Sequence, residues 1–470
     1  MTTTSRISGA AAVHLAALAL TASITPAQET TRAAAEPAPQ AAQTLAQVTQ
    51  KPPEPSRAPL FNRANESLPS WFRVRGEFRE RMEGFDNAGF TDPRDDLYWL
   101  SRFRFDTTFT PSKMLAFQVQ LQDARVGKKT VGTTGAPFSA PFDLRQGYAQ
   151  VGSSTSPFAV RVGRQELVYG EQRLVGHVSW LNAARSFDGA KLTVRGKAFS
   201  ADVFAASLVR ILDDEFDKSG NGNLFAGVHG TTARLVPKGT VEPYAFYRHD
   251  INQTGEAGAS GTLTGTTVGM RMIGTLPASF DYGVEMAVQR GSLSTNSSEA
   301  WAGHWQLRRS LTGAGAAKLI GEYNYASGDA DPADGVRGTF DHLYPTPHDK
   351  YGLADQIGWK NIRHARVGFD FSPHRGWPVT TSYHSWWVNE KRDAVYTAGG
   401  APLARVAAGA LHSHVGQEID VQVSRALLPS LQIAGGYAHI FPGGFLKEAT
   451  PGASYNYPYV MVTYVFLAER

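Results

Sequence analysis

The stretch Arg161–Gly176, RVGRQELVYGEQRLVG, combines features of two kinds of protein. With Val160 before it, Val162 and Leu167 suggest a strand packed against something apolar. Arg161, Arg164, Glu166, Glu171 and Arg173 are too many charges for a strand buried in a dry core. Such a strand needs apolar surroundings on one side and water on the other.

The same alternation runs outward from this stretch in both directions. In WFRVRGEFRER, Phe72, Val74 and Phe78 oppose Arg73, Arg75, Glu77, Arg79 and Arg81. In SRFRFDTTF, Phe103, Phe105 and Phe109 oppose Arg102, Arg104 and Asp106. In AFQVQLQ, Phe117, Val119 and Leu121 oppose Gln118, Gln120 and Gln122. Later, Val284, Met286 and Val288 oppose Glu285 and Gln289; Val367 and Phe369 oppose Arg366 and Asp370; Ile419, Val421 and Val423 oppose Glu418, Asp420 and Gln422. Period two with one apolar and one wet face is the pattern of an antiparallel sheet. It predicts about eighteen strands, starting near residues 71, 99, 114, 143, 157, 184, 198, 226, 239, 262, 279, 299, 317, 360, 377, 413, 430 and 455.

Connection lengths alternate as well. Short turns at TPSK, RGKA, VPKGT, TLPAS, SPHRGWP and LLPS carry Gly, Pro or Ser. Long connections lie around 83–98, 125–142, 166–183, 209–225, 327–359 and 389–412. A sandwich has no reason for this asymmetry, whereas an outer-membrane barrel has short periplasmic turns and long extracellular loops. The fold class expected is therefore all-β: a transmembrane antiparallel barrel whose apolar face meets lipid and whose charged face lines a water-filled lumen. An even strand count places both ends of the barrel on the periplasmic rim. Trp71, Trp99, Tyr323, Tyr325, Trp386, Trp387, Tyr457 and Tyr459, near expected strand ends, are candidates for interfacial girdles.

Composition narrows the rest. The 470 residues would ordinarily suggest two or three domains. After the first thirty residues no apolar run is long enough for a spanning helix, so a helical membrane protein is excluded. Residues 1–27, with Arg6, an apolar stretch from Ile7 to Ile24 and a small-residue cleavage site, read as a signal peptide; a buried N-terminal helix is the alternative. Residues 28–68, rich in Ala, Pro and Gln, read as a flexible periplasmic tether, and 69–470 as the barrel. The chain has no cysteine, which rules out disulfides and thiolate chemistry. A net charge of +4 is too small at this length to argue for nucleic acid.

The motifs DLRQGYAQV, RVGRQELVYGEQRLVG, WLNAARSFDGAKL, FDHLYPTPHDKYGLADQIGWKNIRHARVGF and AGGYAHIFPGGFLKE resemble the alginate export family of eighteen-stranded outer-membrane porins, from about residue 70 to the C-terminus. The resemblance implies passive passage of an anionic polysaccharide or a uronate oligomer through an arginine-lined pore. Carried over motif by motif, it points to Arg145, Arg161, Arg164, Arg185, Asp188 and Arg366 on the substrate path. The C-terminus departs from the usual terminal aromatic, since Phe466 is followed by LAER.

From the residues themselves, the arginine-rich strands are the strongest functional signal, adding Arg73, Arg75, Arg79, Arg102 and Arg104 to the path. Guanidinium groups stay charged and match carboxylates with a planar fork. A ring of them attracts uronates and repels cations. The plainer account is that each pairs with Glu77, Asp106, Glu285 or Asp370 across the wall; a mixture of the two is expected. DKSGNGN at 217–223 resembles the start of a calcium loop, but Val228 stands where a closing Glu belongs, so a polar loop is the preferred reading. His342, His348, His412 and His414 lack helical metal spacing, and no metal or other cofactor is expected. Enzymatic activity is not expected either, because His384 and Ser385 are strand neighbours and point to opposite faces. An adhesin would not explain the charged lumen, and a general anion-preferring porin is the main alternative. Expected partners are outer-membrane lipid, the outer-membrane assembly machinery and an anionic carbohydrate, with no nucleic acid and the barrel a monomer.

Overall fold

The structure is a computed structural model that describes residues 64–220, 222–254, 260–311 and 317–466. The expected signal peptide, the tether as far as residue 63 and the final LAER lie outside the described residues. At the end of the tether, Ala64–Ser67 forms one helical turn. The Asn65 side chain donates to Val74 O (2.7 Å) and accepts from Val74 N (3.0 Å). The last tether residues, expected to be flexible, are thus tied to the first strand.

Among the described residues eighteen strands form one closed antiparallel barrel. In chain order they are β1 (Phe72–Phe85), β2 (Asp96–Ser112), β3 (Leu115–Gly127), β4 (Ala140–Val151), β5 (Phe158–Gln165), β6 (Phe187–Arg195), β7 (Phe199–Arg210), β8 (Asn223–Thr232), β9 (Gly239–Thr254), β10 (Ser260–Leu276), β11 (Phe280–Leu293), β12 (Asn296–Ser310), β13 (Lys318–Ala326), β14 (Ile362–His374), β15 (Trp377–Val388), β16 (His414–Leu428), β17 (Leu431–Pro442) and β18 (Tyr455–Phe466). Each pairs with its sequence neighbour, and β18 returns to β1 with Phe466 opposite Gly76 and Tyr459 opposite Glu83. Closure leaves no unpaired edge, which is what a sheet in lipid requires.

The period-two faces fall as the pattern predicts. Phe78, Met82, Val119, Val162, Val288, Val367, Ile419 and Val460 are exposed on the outer wall, while Arg79, Arg102, Arg104, Gln122, Glu285 and Asp420 are buried on the inner one. A wall that exposes aliphatic side chains is stable in lipid and not in water.

One rim carries only short connections apart from the link at 311–317. The other carries the six expected long loops, a further loop at 443–454, and two short links at 255–259 and 294–295 that break the expected alternation. Two of the long loops turn into the barrel. Residues 166–186 and 327–361 run against each other through Gly176 N to Tyr344 O (2.8 Å), Tyr344 N to Leu174 O (2.9 Å) and Thr346 N to Gln172 O (2.8 Å). They bring Leu167, Leu174, Phe340, Tyr344 and Trp359 against Phe187, Phe225 and Trp386 of the wall, a dry core inside the barrel. Three of the aromatics expected in the girdles belong here: Trp386, Tyr457 and Tyr459 lie on the inner face and are buried. Trp386 donates from its indole to Tyr351 O (2.8 Å), fixing one inward loop.

Candidate functional site

The first five strands carry the basic wall. Arg73, Arg75 and Arg79 on β1, Arg102 and Arg104 on β2, Arg145 on β4 and Arg161 on β5 all occupy inward positions. The register sets Arg75 opposite Asp106, Glu77 opposite Arg104, and Arg79 directly opposite Arg102. Two facing arginines repel unless acceptors are supplied.

The inward loop 166–186 supplies most of them. Arg79 donates from Nη1 to Ser179 O (3.0 Å) and from Nη2 to Trp180 O (3.1 Å) and Leu181 O (3.3 Å). Arg102 donates from Nη1 to Ser179 O (2.8 Å) and Leu181 O (3.1 Å), and from Nη2 to Glu77 (2.5 Å). Arg81, which sequence reasoning left off the path, donates to Trp180 O (2.6 Å) and pairs with Glu83 (2.6 Å). Arg145 is held by Gln120 and by Glu166 at the base of the same loop. Burial opposes the charged form, but the Arg145 guanidinium together with His177 and Arg104 holds the Glu166 carboxyl down at about 2.

Three arginines are less committed. Arg104 is only 6% exposed; its Nε donates to Gln122 (2.8 Å), and its Nη2, out of contact with solvent, has no hydrogen-bond partner among the described residues. Arg161 donates to a single neutral acceptor, Gln150 (2.8 and 3.1 Å), and lies 4.2 Å over the Tyr148 ring. Arg75 is exposed toward the lumen opposite Asp106. Between them β3 and β4 present Gln118, Gln120, Gln146 and Gln150. The result is a surface of guanidinium forks, amides and one aromatic face, suited to an acidic solute that also carries hydroxyl groups. Arg73, near the short-turn rim, donates to Pro69 O (2.7 Å).

Four expected path residues lie elsewhere or serve other contacts. Arg164 and Asp188 face outward, because positions 161 and 164 differ by three and a period of two sends them to opposite sides. Arg164 aligns with outward Gly147 and with Asp188, and grips that carboxylate through two nitrogens (2.8 and 3.1 Å). Residues 211–220 fold over the pair as an outer strap: Arg164 Nη2 donates to Asp217 O (3.0 Å), Ser219 to Asp188, and Asp217 N to Asp143. Asp217 of the abandoned calcium loop thus belongs to this strap. Beside it lies a cleft of about 500 Å³ lined by Leu121, Phe142, Leu144 and Phe216. Arg185 is buried within the inward loops, donating to Gly176 O (3.1 Å) and Pro345 O (2.9 Å). Arg366 does face inward, on the opposite wall, bound to Ser382 (3.0 Å) and near Glu322 (3.5 Å).

The wall opposite the arginines holds a buried polar chain that sequence reasoning missed. His304 bonds Asn324 (2.8 Å), Asn324 bonds His364 (2.9 Å), His364 bonds His384 (2.9 Å), and His384 lies 3.1 Å from Asp420. Ser385 points the other way, toward His414 (3.3 Å). No group of three His, Asp or Glu among the described residues is arranged to hold a metal ion.

The comparisons agree with this architecture. A search of the curated proteins returns no match to the chain. Among solved structures it is similar in fold to OccAB2 of Acinetobacter baumannii (TM-score 0.56, 12% identity, covering 84% of this chain and 98% of that one). Similar too are OccK2 of Pseudomonas aeruginosa in complex with glucuronate (0.56, 11%, 84% and 98%) and a BenF-like porin of Pseudomonas fluorescens Pf-5 (0.56, 12%, 84% and 98%). At such identities the likeness speaks for the fold alone. The family model described as alginate export matches residues 70–460, nearly the whole barrel, and so the chain belongs to the alginate export family and forms an outer-membrane channel of the bacterial cell.

Proposed function

We propose that this channel passes acidic carbohydrate, uronate-type oligosaccharides or polysaccharide, by passive diffusion along the wall of β1 to β5. The observation that carries the reading is the set of Arg75, Arg104 and Arg161, which have no carboxylate within ion-pair distance among the described residues and stand among glutamines and Tyr148. A guanidinium with donors to spare attracts a carboxylate, and neighbouring amides serve sugar hydroxyls. That OccK2, a fold neighbour, has been crystallised with glucuronate is consistent with such chemistry in a barrel of this shape. Outer-membrane lipid around the apolar wall, a monomeric barrel and insertion by the assembly machinery complete the reading, and catalysis forms no part of it.

The test is recording in planar bilayers with mannuronate oligomers, neutral glucan and phosphate, on the wild type and on Arg75→Gln/Arg104→Gln/Arg161→Gln. The variant should assemble, lose anion preference and be blocked less by the uronate, most visibly at low salt, where screening is least. Equal block of the wild type by neutral and acidic oligomers would overturn the reading. If phosphate competes as well as uronate, the general anion porin is the better description.

A further inference from the structure

Most of the acceptors on Arg79 and Arg102 are backbone carbonyls, joined by the side chains of Asn182 and Glu77. Five hydrogen bonds run from these two guanidiniums to the oxygens of Ser179, Trp180 and Leu181. A neutral carbonyl satisfies a donor but leaves its charge in place. A carboxylate does both, offering a planar bidentate partner and the opposite charge that a carbonyl lacks. Arg79 and Arg102 face each other in register, both buried, and of the two only Arg102 pairs with a carboxylate, that of Glu77. Two residues along β2 on the same face, Arg104 has its Nη2 buried without a partner. The inner wall thus presents Arg104, with its Nη2 unused, beside Arg79, which has no carboxylate partner among the described residues, and Arg102, whose one carboxylate is that of Glu77.

We propose that the carbonyls of Ser179 to Leu181 are an internal substitute for the carboxylates of the solute, and that an acidic sugar seated on Arg104 displaces them from Arg102 and Arg79 and lifts the loop from the wall. The proposal rests on the reading of the pore as an acidic-carbohydrate channel and adds its regulation. The loop covers Arg79 and Arg102 until a competing carboxylate arrives. A neutral sugar has nothing to offer the arginines that the carbonyls do not already give.

The contact that reports on release is Ala183. It is buried against Ala124 and Ala140 of the wall, and its side chain takes no part in the arginine contacts. Because the chain has no cysteine, Ala183→Cys gives a single thiol that a water-soluble maleimide reaches only when the segment leaves the wall. With the detergent-purified full-length protein, trigalacturonate should raise the labelling rate by about tenfold, and maltotriose should leave it unchanged. Adding Arg104→Gln should shift the trigalacturonate effect to higher concentration. In the Arg79→Gln/Arg102→Gln background labelling should be fast without any sugar. The same preparations are recorded in bilayers. Block of current by trigalacturonate with no change in labelling would overturn the displacement while sparing the channel reading. Neither block nor labelling change would remove both.

Discussion

The imidazole of His348 lies flat on the indole of Trp180, with ring centroids 3.7 Å apart and planes 6° from parallel. The guanidinium of Arg81 covers the indole at 3.9 Å, and Tyr459 meets it edge-on at 5.0 Å. One side chain therefore joins both inward loops to the wall. Trp180→Ala should lower stability by about 3 kcal/mol and enlarge the open conductance, read by thermal unfolding in detergent and by single-channel recording. Lower stability with unchanged conductance would mean that the loops do not limit the pore.

Arg164 and Arg161 lie on one strand but face different solvents. Arg164→Gln should loosen the outer strap, raising amide exchange in residues 212–220, and leave ion preference as it was. Arg161→Gln should lower anion preference and leave the strap protected. The comparison uses reversal potentials and hydrogen exchange on both variants, and a selectivity change in Arg164→Gln would refute its outward placement.

Asp217 gives the strap a pH dependence. Burial first, and then the neighbouring Asp143, push its carboxyl up to about 6. A carboxyl raised in the folded state binds its proton more tightly there than in the free chain. Its contribution is therefore greatest at low pH and is lost as pH rises through about 6. Exchange at residues 212–220, corrected for intrinsic rate, should be faster at neutral pH than near pH 5, a typical point below that value. Asp217→Asn should flatten the difference; a difference that persists would place its cause elsewhere.

Val162, next to Arg161, faces lipid. Val162→Arg should destabilise the barrel in liposomes by on the order of 2 kcal/mol, measured by denaturant titration and heat-shifted electrophoretic mobility. Arg161→Gln should leave both nearly unchanged. Equal penalties for the two would contradict a two-faced wall.

Much of this was legible in advance because lipid and water impose opposite demands on adjacent residues. Phe78 and Arg79 are enough to orient β1, and the strand starts of the structure fall within three residues of those expected. The roles of the arginines were less legible. Parity alone separates Arg164 from Arg161, and applying the period strictly would have removed Arg164 and Asp188 from the lumen. No local pattern foretells that Ser179, Trp180 and Leu181 return across about a hundred residues to Arg79, since carbonyls carry no sequence signature. Arg185 and Trp386 were misplaced for a related reason: the inward loops create a third environment, neither lipid nor open water. The histidine chain was hidden because its members come from separate strands and meet only in register.

The pairing of Gly76 with Phe466 closes the barrel and sets an order of events for its birth. Each hairpin from β1 to β18 forms between neighbours, at small loss of chain freedom, but β1 finds its second partner only when the last strand exists. Until then the sheet has two open margins, and one of them is the arginine-bearing β1. An unpaired margin invites the wrong partner, and joining ends so far apart in the chain is slow compared with making hairpins. A nascent chain of this kind must therefore be shielded along β1 while the rest of the cylinder is laid down.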